Sequence, residues 1–368
     1  MSVPSRVAIT GGSGFLGWHT ACRLRATRAV EPVLLGRAAF ATPGALREAL
    51  AEVDTVVHLA GVNRAESDRA VEEGNVELAR ALASALGERP VHVVFADSVQ
   101  SELDNPYGRG KRRAAELLGE LPGTLSDVVL PNLFGEHGRP AYNSFVATFC
   151  HEVAAGRRPH VTDDREVRLL HAQDAAEVLI DAASARADAV LRPAGEPHGI
   201  GEVLDRLVGF HATYAGSGEL PDLSTRFAVD LFNTYRSHLF PQQFPISAAV
   251  HHDERGDLFE TARSHGGTGQ VFVSSTRPGH TRGDHYHLRK VERFFVIAGE
   301  AEISLRRLLH DDVVTFRLSG EQPSFVDMPT MWVHNIRNVG EGELLTLFWA
   351  DQLLDADRPD QYPEKVTR

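Results

Sequence analysis

Tyr107 and Lys111 stand four residues apart, a spacing that sets both side chains on one face of a helix. An ammonium beside a phenol stabilises the phenolate and lowers its pKa. The pair can therefore exchange a proton with a carbonyl oxygen while hydride moves at the carbon. Ser98, nine residues earlier, ends an apolar run and offers a hydroxyl to hold the same oxygen; it equally suits a simple cap at a strand end. A second reactive group lies far downstream, in His285, His287, Glu292 and His334. Residues two apart on a strand share a face, so His285 and His287 point together, and Glu292 and the distant His334 complete a four-ligand set for a divalent ion. Zinc is the first expectation, and manganese or iron suits the same donors. Tyr286 and Lys290 lie inside this run and are candidate bases, although barrel-mouth positions need no such role.

The elements that must position Tyr107 and Lys111 are a strand, a glycine turn and a helix. Arg6 to Thr10 reads as a strand, followed by Gly11, Gly14 and Gly17 at intervals of three and a helical pattern from Gly17 to Thr27. In that context Gly11 makes the turn, Gly14 lets backbone approach a pyrophosphate, and Gly17 packs the helix on the sheet. Phe15 and Leu16 open the helix, whose free N–H groups favour an anion. Further strands are expected at Val33 to Gly36, Thr55 to Ala60 and Val91 to Ala96, with a helix at Val76 to Leu86. This βαβ alternation predicts a doubly wound parallel sheet of Rossmann type. Arg37, after the second strand, suits the 2′-phosphate of NADP(H), where an NAD(H) enzyme usually carries a carboxylate; as a solvated loop residue it would leave NAD(H) open. His58 and Ala60 end the third strand beside the expected cofactor path, His58 reading as packed rather than catalytic.

Pro193 to Gly201 reads as a loop, and helices are expected at Gly201 to Ala215 and Ser224 to His238. Pro241 and Pro245 then break the pattern. The expected organisation is a dinucleotide-binding domain over 1–243 and a β domain over 244–368. After residue 248 the period becomes two, with strands expected at 270–275, 293–297, 301–305, 312–316, 324–327 and 344–349, which predicts a small antiparallel barrel or sandwich.

Composition narrows the function. The chain has 368 residues, 42% hydrophobic, and a formal net charge of -12, which disfavours nucleic acid as a partner. Cys22 and Cys150 have no neighbouring cysteine, so a disulfide framework is not expected and a reducing cytoplasm is. No apolar run approaches the roughly 20 residues that span a bilayer. Lys111, Lys290 and Lys365 are the only lysines.

The Gly-x-x-Gly-x-x-Gly turn and Tyr-x-x-x-Lys pair resemble the extended short-chain dehydrogenase/reductases. That resemblance assigns Asn75 to support of the sheet and the site and places Asn132, in Pro131 to Gly135, near a sugar nucleotide. Arg168 is a candidate for its diphosphate or a residue of a solvated face. Sugar dehydratases of that superfamily carry an Asp-Glu pair where this chain reads Asp97-Ser98-Val99, so reduction or oxidation is expected rather than dehydration. The run from Gly279 through His285, His287 and Glu292 to Gly299 resembles the first cupin motif. Pro329 to His334 followed by Asn338 resembles the second, with Met331 replacing the usual Gly. Both halves together, through His58 to Arg64, Asp104 to Gly108, Tyr142 to Ser144 and His334 to Ile336, resemble the CapF family of capsular-polysaccharide synthesis enzymes. The resemblance implies a homodimer in which the cupin epimerises C3 of a UDP-linked 4-keto-6-deoxy-N-acetylhexosamine and the reductase reduces C4 with NADPH. It leaves open a C4 reductase whose cupin only dimerises or binds sugar, a cupin that consumes oxygen, and a non-catalytic nucleotide sensor.

Overall fold

The computed structural model describes residues 6–367 except Pro43. The chain divides into two compact units, one of residues up to Phe134 with Glu166–His198, the other of Gly135–Arg165 with Gly199–Arg368.

In the first unit, strands β1 (Val7–Thr10), β2 (Val33–Leu35), β3 (Thr55–His58), β4 (His92–Ser98), β5 (Leu125–Leu130) and β8 (Ala189–Leu191) form a six-stranded sheet in the order β2-β1-β3-β4-β5-β8. All five pairings are parallel. Its crossovers carry helices α1 (Phe15–Arg28), α2 (Arg37–Ala41), α3 (Ala45–Leu50), α4 (Asp68–Leu86), α5 (Pro106–Gly119) and α7 (Ala172–Ala185). Strands β1, β3 and most of β4 are wholly buried, as expected of a sheet covered on both faces. One core cluster joins Val56, Val93 and Phe95 of the sheet to Ala79, Leu82 and Leu86 of α4 and Ala114 and Leu118 of α5. Strands β6 (Asn132–Phe134), β7 (Glu166–His171) and β9 (Glu196–Gly199) make a second, three-stranded sheet. The last of these falls in the segment expected to be a loop; its Pro and Gly hide the pattern, and pairing at the sheet edge supplies the strand.

The second unit holds helices α6 (Phe145–Ala154), α8 (Ile200–Tyr214) and α9 (Arg226–Arg236), packed on one another, and two five-stranded sheets. Strands β10 (Ile246–Ser247), β13 (Gln270–Thr276), β15 (Glu292–Ala298), β18 (Ser324–Met328) and β20 (Leu344–Ala350) form one sheet, in the order β10-β18-β15-β20-β13. Strands β14 (Thr281–Tyr286), β16 (Glu300–Arg307), β17 (Val313–Ser319), β19 (Trp332–Asn338) and β21 (Tyr362–Pro363) form the other, in the order β17-β16-β19-β14-β21. All their pairings are antiparallel. A separate hairpin joins β11 (Val250–Asp253) to β12 (Gly256–Phe259). The fold class is thus the expected one, a Rossmann-type parallel sheet and an all-β C-terminal region, the latter hydrogen-bonded as two sheets.

A buried ion pair ties α8 to the first of these sheets. Arg293 donates two hydrogen bonds to Asp327, at 2.7 and 2.9 Å, and a third to the Gly218 carbonyl. Tyr214 donates to the same carboxylate at 2.7 Å. With every strong donor answered, the charges persist in the interior despite their desolvation cost. No helix among the described residues is long and apolar enough to cross a membrane.

Candidate functional site

The glycine turn after β1 is shaped by contact rather than by flexibility alone. A Cβ on Gly17 would stand 2.2 Å from the Gly11 carbonyl oxygen, so any side chain there would push α1 off the turn. Gly14 is the N-cap of α1 and makes no side-chain cap, which leaves the N-terminal amides of Phe15, Leu16 and Gly17 for an anion. Arg37 is exposed at the first position of α2, directly after β2 and Gly36.

His58 is buried at the end of β3, hydrogen-bonded through Nδ1 to Thr10 Oγ1 at 2.7 Å and stacked on Phe95. Burial, with the Lys111 charge adding to it, pushes its pKa down to about 3, so the ring is neutral. Thr10 Oγ1 also accepts the amides of Leu59 and Ala60 at 3.2 Å each. The ring of His58 thus works inside the sheet, and the turn beyond it presents backbone. Asn75 holds that segment from α4: its side chain accepts from the Val62 amide at 3.1 Å and donates to the Val62 and Val71 carbonyls at 2.8 Å.

Tyr107 lies in the first turn of α5. Asn105 caps that helix by accepting from the Gly108 amide at 2.8 Å, and Pro106 stands at its start, a strong N-terminal signal. Gly108 is required by close approach, since a Cβ there would meet the Gln100 carbonyl oxygen at 2.1 Å. One turn on, Lys111 is 4% exposed. Its Nζ donates to the Ala96 carbonyl at 2.7 Å and lies 4.6 Å from the Phe95 ring centre and 5.8 Å from that of Tyr107. Burial lowers its pKa to about 8, against the opposing pull of Asp97 and Asp127. Ser98 is the last residue of β4, and its Oγ accepts from the Gln100 amide at 3.2 Å. It therefore caps the following turn, with its hydroxyl hydrogen still free to donate elsewhere. Asn132, on edge strand β6, and Arg168, on the central strand β7, are both exposed. Asn132 Nδ2 approaches the main-chain carbonyl of Arg168 at 3.4 Å, but Asn132 is the register partner of Leu169, so the Arg168 side chain lies on the other face of the sheet, where it donates to the Gly195 carbonyl at 3.0 Å.

In the second unit the four expected ligands come together. One donor atom from each of His285, His287, Glu292 and His334 falls within 4.8 Å of the others. His285 and His334 are register partners on β14 and β19, His287 follows β14, and Glu292 opens β15 in the other sheet. Glu292 Oε2 lies 3.0, 3.9 and 3.4 Å from the Nε2 atoms of His287, His285 and His334. His287 Nδ1 is 2.6 Å from the Asp360 carbonyl and His334 Nδ1 is 2.9 Å from the Trp332 carbonyl. A proton on each Nδ1 leaves Nε2 as a bare lone pair. Burial brings His334 down to about 4, so it is neutral, as a ligand must be. Among the described residues, Nε2 of His285 and of His334 is buried with no hydrogen-bond partner. Orphaned lone pairs around one carboxylate fit a divalent cation.

Lys290 Nζ lies 3.6 Å from Glu292 Oε1, whereas Tyr286 packs on Tyr362, on the alternate face of its strand. Met331 takes φ of 59° in the turn where glycine was expected, is fully buried, and donates its amide to the His287 carbonyl at 2.7 Å. The turn geometry is thus kept without the glycine. Two aspartates that the sequence pattern did not single out brace the loop between His287 and Glu292. Asp360 accepts from the amides of Leu288, Arg289 and Lys290 at 2.8–3.0 Å, and Asp351 accepts from Val291 at 2.9 Å. Nothing in their local sequence marks them, because their partners are some 60 to 70 residues away.

The fold and the Tyr–Lys helix define an extended dehydrogenase/reductase-type protein, and the chain belongs to the NAD dependent epimerase/dehydratase family, which matches residues 7–191. Residues 251–362 match the polysaccharide biosynthesis C-terminal domain, and over its full length the chain is CapF-like. It is 32% identical over 367 residues to the Pseudomonas aeruginosa protein named UDP-2-acetamido-2,6-beta-L-arabino-hexul-4-ose reductase, covering 97% of this chain and 98% of that one. The crystal structure of the capsular polysaccharide assembling protein CapF from Staphylococcus aureus matches with a TM-score of 0.59 and 28% identity, over 98% of this chain and 99% of that one. A UDP-N-acetylglucosamine 4-epimerase from Bacillus cereus shares the fold over 57% of this chain and 82% of its own, at 20% identity and a TM-score of 0.51.

Proposed function

We propose that the chain is a bifunctional cytoplasmic enzyme of nucleotide-sugar metabolism. Its C-terminal unit, a cupin, inverts C3 of a UDP-linked 4-keto-6-deoxy-N-acetylhexosamine. Its N-terminal unit then reduces the C4 ketone with NADPH to a UDP-6-deoxy-talosamine-type sugar. The observation that carries this reading is the presence in one chain of a buried ammonium 5.8 Å from the Tyr107 ring centre and of three imidazoles gathered on one carboxylate. The name of the Pseudomonas aeruginosa relative, a reductase of a UDP-linked hexul-4-ose, supports the substrate class.

Chemistry orders the two steps. The C3 proton is acidic only while C4 is a ketone, so inversion precedes reduction. When bound, the reduced nicotinamide supplies hydride to C4. Tyr107 gives its phenolic proton to the former ketone oxygen, and Lys111 stabilises the phenolate left behind. Ser98 holds the same oxygen through its free hydroxyl hydrogen. Gly11, Gly14, Phe15, Leu16 and Gly17 receive the pyrophosphate, the chain around His58 and Ala60 lines the cofactor path, and Arg37 takes the 2′-phosphate that distinguishes NADPH from NADH. Asn132 and Arg168 remain the candidates for contact with the sugar nucleotide, Asn132 from edge strand β6 and Arg168 from β7. His285, His287, Glu292 and His334 hold a divalent cation, zinc foremost, which when bound supplies Lewis-acid stabilisation of negative charge on the substrate oxygen.

A second reading, a C4 reductase whose cupin serves dimerisation, is favoured by one feature. Edge strand β13 leaves Val271, Phe272 and Val273 exposed, on both its faces. Such an edge suits pairing with a second copy of the chain, and a homodimer is compatible with either reading. The test is incubation with NADPH or NADH and a panel of UDP- and dTDP-linked 4-keto-6-deoxy sugars, with NMR of the products. Expected is oxidation of NADPH and a product inverted at C3 and reduced at C4. Reduction without inversion selects the second reading, and no turnover of any 4-keto sugar contradicts both.

A further inference from the structure

The sheet face beneath Lys111 carries two carboxylates that the proton-transfer scheme does not use. Phe95 on β4 is the register partner of Asp127 on β5, and Asp97 is the partner of Val129. Side chains alternate along a strand, so Phe95, Asp97 and Asp127 share one face. Lys111 fixes which face, because its Nζ rests over the Phe95 ring. Asp97 is 6% exposed and Asp127 is half-buried. Among the described residues one oxygen of each, Oδ1, is buried with no hydrogen-bond partner. Two carboxylates diagonal to each other on adjacent strands repel and cost desolvation, so an unanswered pair in a sheet needs a cation nearby.

We propose that Asp97 and Asp127 are positioning residues that act through Lys111: as an acidic pair under the ammonium they keep it charged in a buried site, and so keep it able to stabilise the Tyr107 phenolate. This rests on the reading of Tyr107 and Lys111 as the proton-transfer pair. The groups facing Lys111 are Asp97 from β4, Asp127 from β5, neutral His58 from β3, Asn75 from α4 and Tyr107 from its own helix. Beyond them, Arg192 faces Asp127 and is itself paired with Glu102 at 2.5 Å. Burial, then the Asp97 charge, pushes Asp127 up to about 6, while Lys111 and Arg192 pull it down. Asp127 is therefore ionised above about pH 6, and the ammonium persists to about pH 8. The pair supports the site most fully between those limits.

Because the chain has only three lysines, the test needs no substrate. Full-length protein labelled with 13C-lysine gives three side-chain signals to titrate by NMR, and Lys111→Arg assigns the one of interest. The expected Lys111 midpoint lies near 8. Asp97→Asn and Asp127→Asn, both near-isosteric, are each expected to lower it by roughly one pH unit, as removal of a close opposite charge does, and to move the alkaline limb of kcat for reduction equally. A Lys111 midpoint unmoved in both variants overturns the inference. A midpoint that falls while the kcat limb stays put upholds the electrostatic pairing and instead contradicts the assignment of Lys111 to proton transfer.

Discussion

At the N-terminal site the reactive phenol and ammonium arrive within one turn of one helix and rest on backbone held by glycine contacts, whereas at the C-terminal site four side chains converge from two sheets onto a shared centre. The first arrangement needs local geometry: a capped helix, a strand end and a turn with no room for Cβ atoms. The second needs long-range register, since His285 meets His334 only because β14 pairs with β19, and Glu292 joins them from β15 of the other sheet. The same difference appears in the surroundings of each site. Lys111, on α5, rests its Nζ on the Ala96 carbonyl and the Phe95 ring of β4, while the loop at 288–291 is held by Asp351, just after β20, and by Asp360 near the C-terminus.

The sharpest way to separate the two sites is Tyr107→Phe. It removes the phenol proposed as proton donor and leaves the helix intact, so reduction is expected to fall roughly 10²- to 10⁴-fold, measured as NADPH oxidation, with zinc affinity unchanged by competition titration. A parallel loss of zinc binding would mean that the two regions are not independent. Asp327→Ala strands the Arg293 charge in the interior, and urea unfolding is expected to show a loss of about 3–5 kcal/mol. A loss under about 1 kcal/mol, the scale of a surface pair, would show that the pair is not buried as described. Asp360→Asn weakens the cap on three loop amides, and the expected result is a roughly 10- to 100-fold drop in zinc affinity with reduction of C4 untouched. The smallest expected effect is that of exposed Arg37→Ala, about tenfold against NADPH relative to NADH in kcat/KM, the scale of one charge-assisted hydrogen bond. No change in that ratio removes Arg37 from the cofactor site.

How far each site is legible in sequence depends on the same contrast. Gly11, Gly14 and Gly17 with the apolar strand before them, and Asn105-Pro106-Tyr107 with Lys111 one turn on, carry their geometry in adjacent letters. The strands bearing the imidazoles do not. Thr281 to Tyr286 is charged and interrupted by Gly283, and it escapes the apolar alternation because His285 stands where a hydrophobe would mark the inward face. Residues 344–350, which carry apolar side chains almost throughout, read clearly as a strand, and so do 324–328 through Phe325 and Val326 despite buried Asp327. Met331 shows a local rule overruled: a buried side chain and a backbone bond to His287 hold a left-handed turn that glycine would adopt more readily. Asp97 and Asp127 are near each other only through the parallel register of β4 and β5, and Asp360 meets its loop from 70 residues away. The grouping of 135–165 with the C-terminal unit is likewise written in tertiary contacts and not in any break of composition.

Solvent exchange at C3 tests the two-site chemistry most directly. Full-length Tyr107→Phe protein, loaded with zinc and incubated in D2O with a UDP-linked 4-keto-6-deoxy-N-acetylhexosamine, is expected to place deuterium at C3 while the ketone at C4 persists, read by 1H NMR. Retention of protium at C3 in both this variant and the unmodified chain would contradict the claim that the histidine cluster inverts the carbon beside the one Tyr107 helps to reduce.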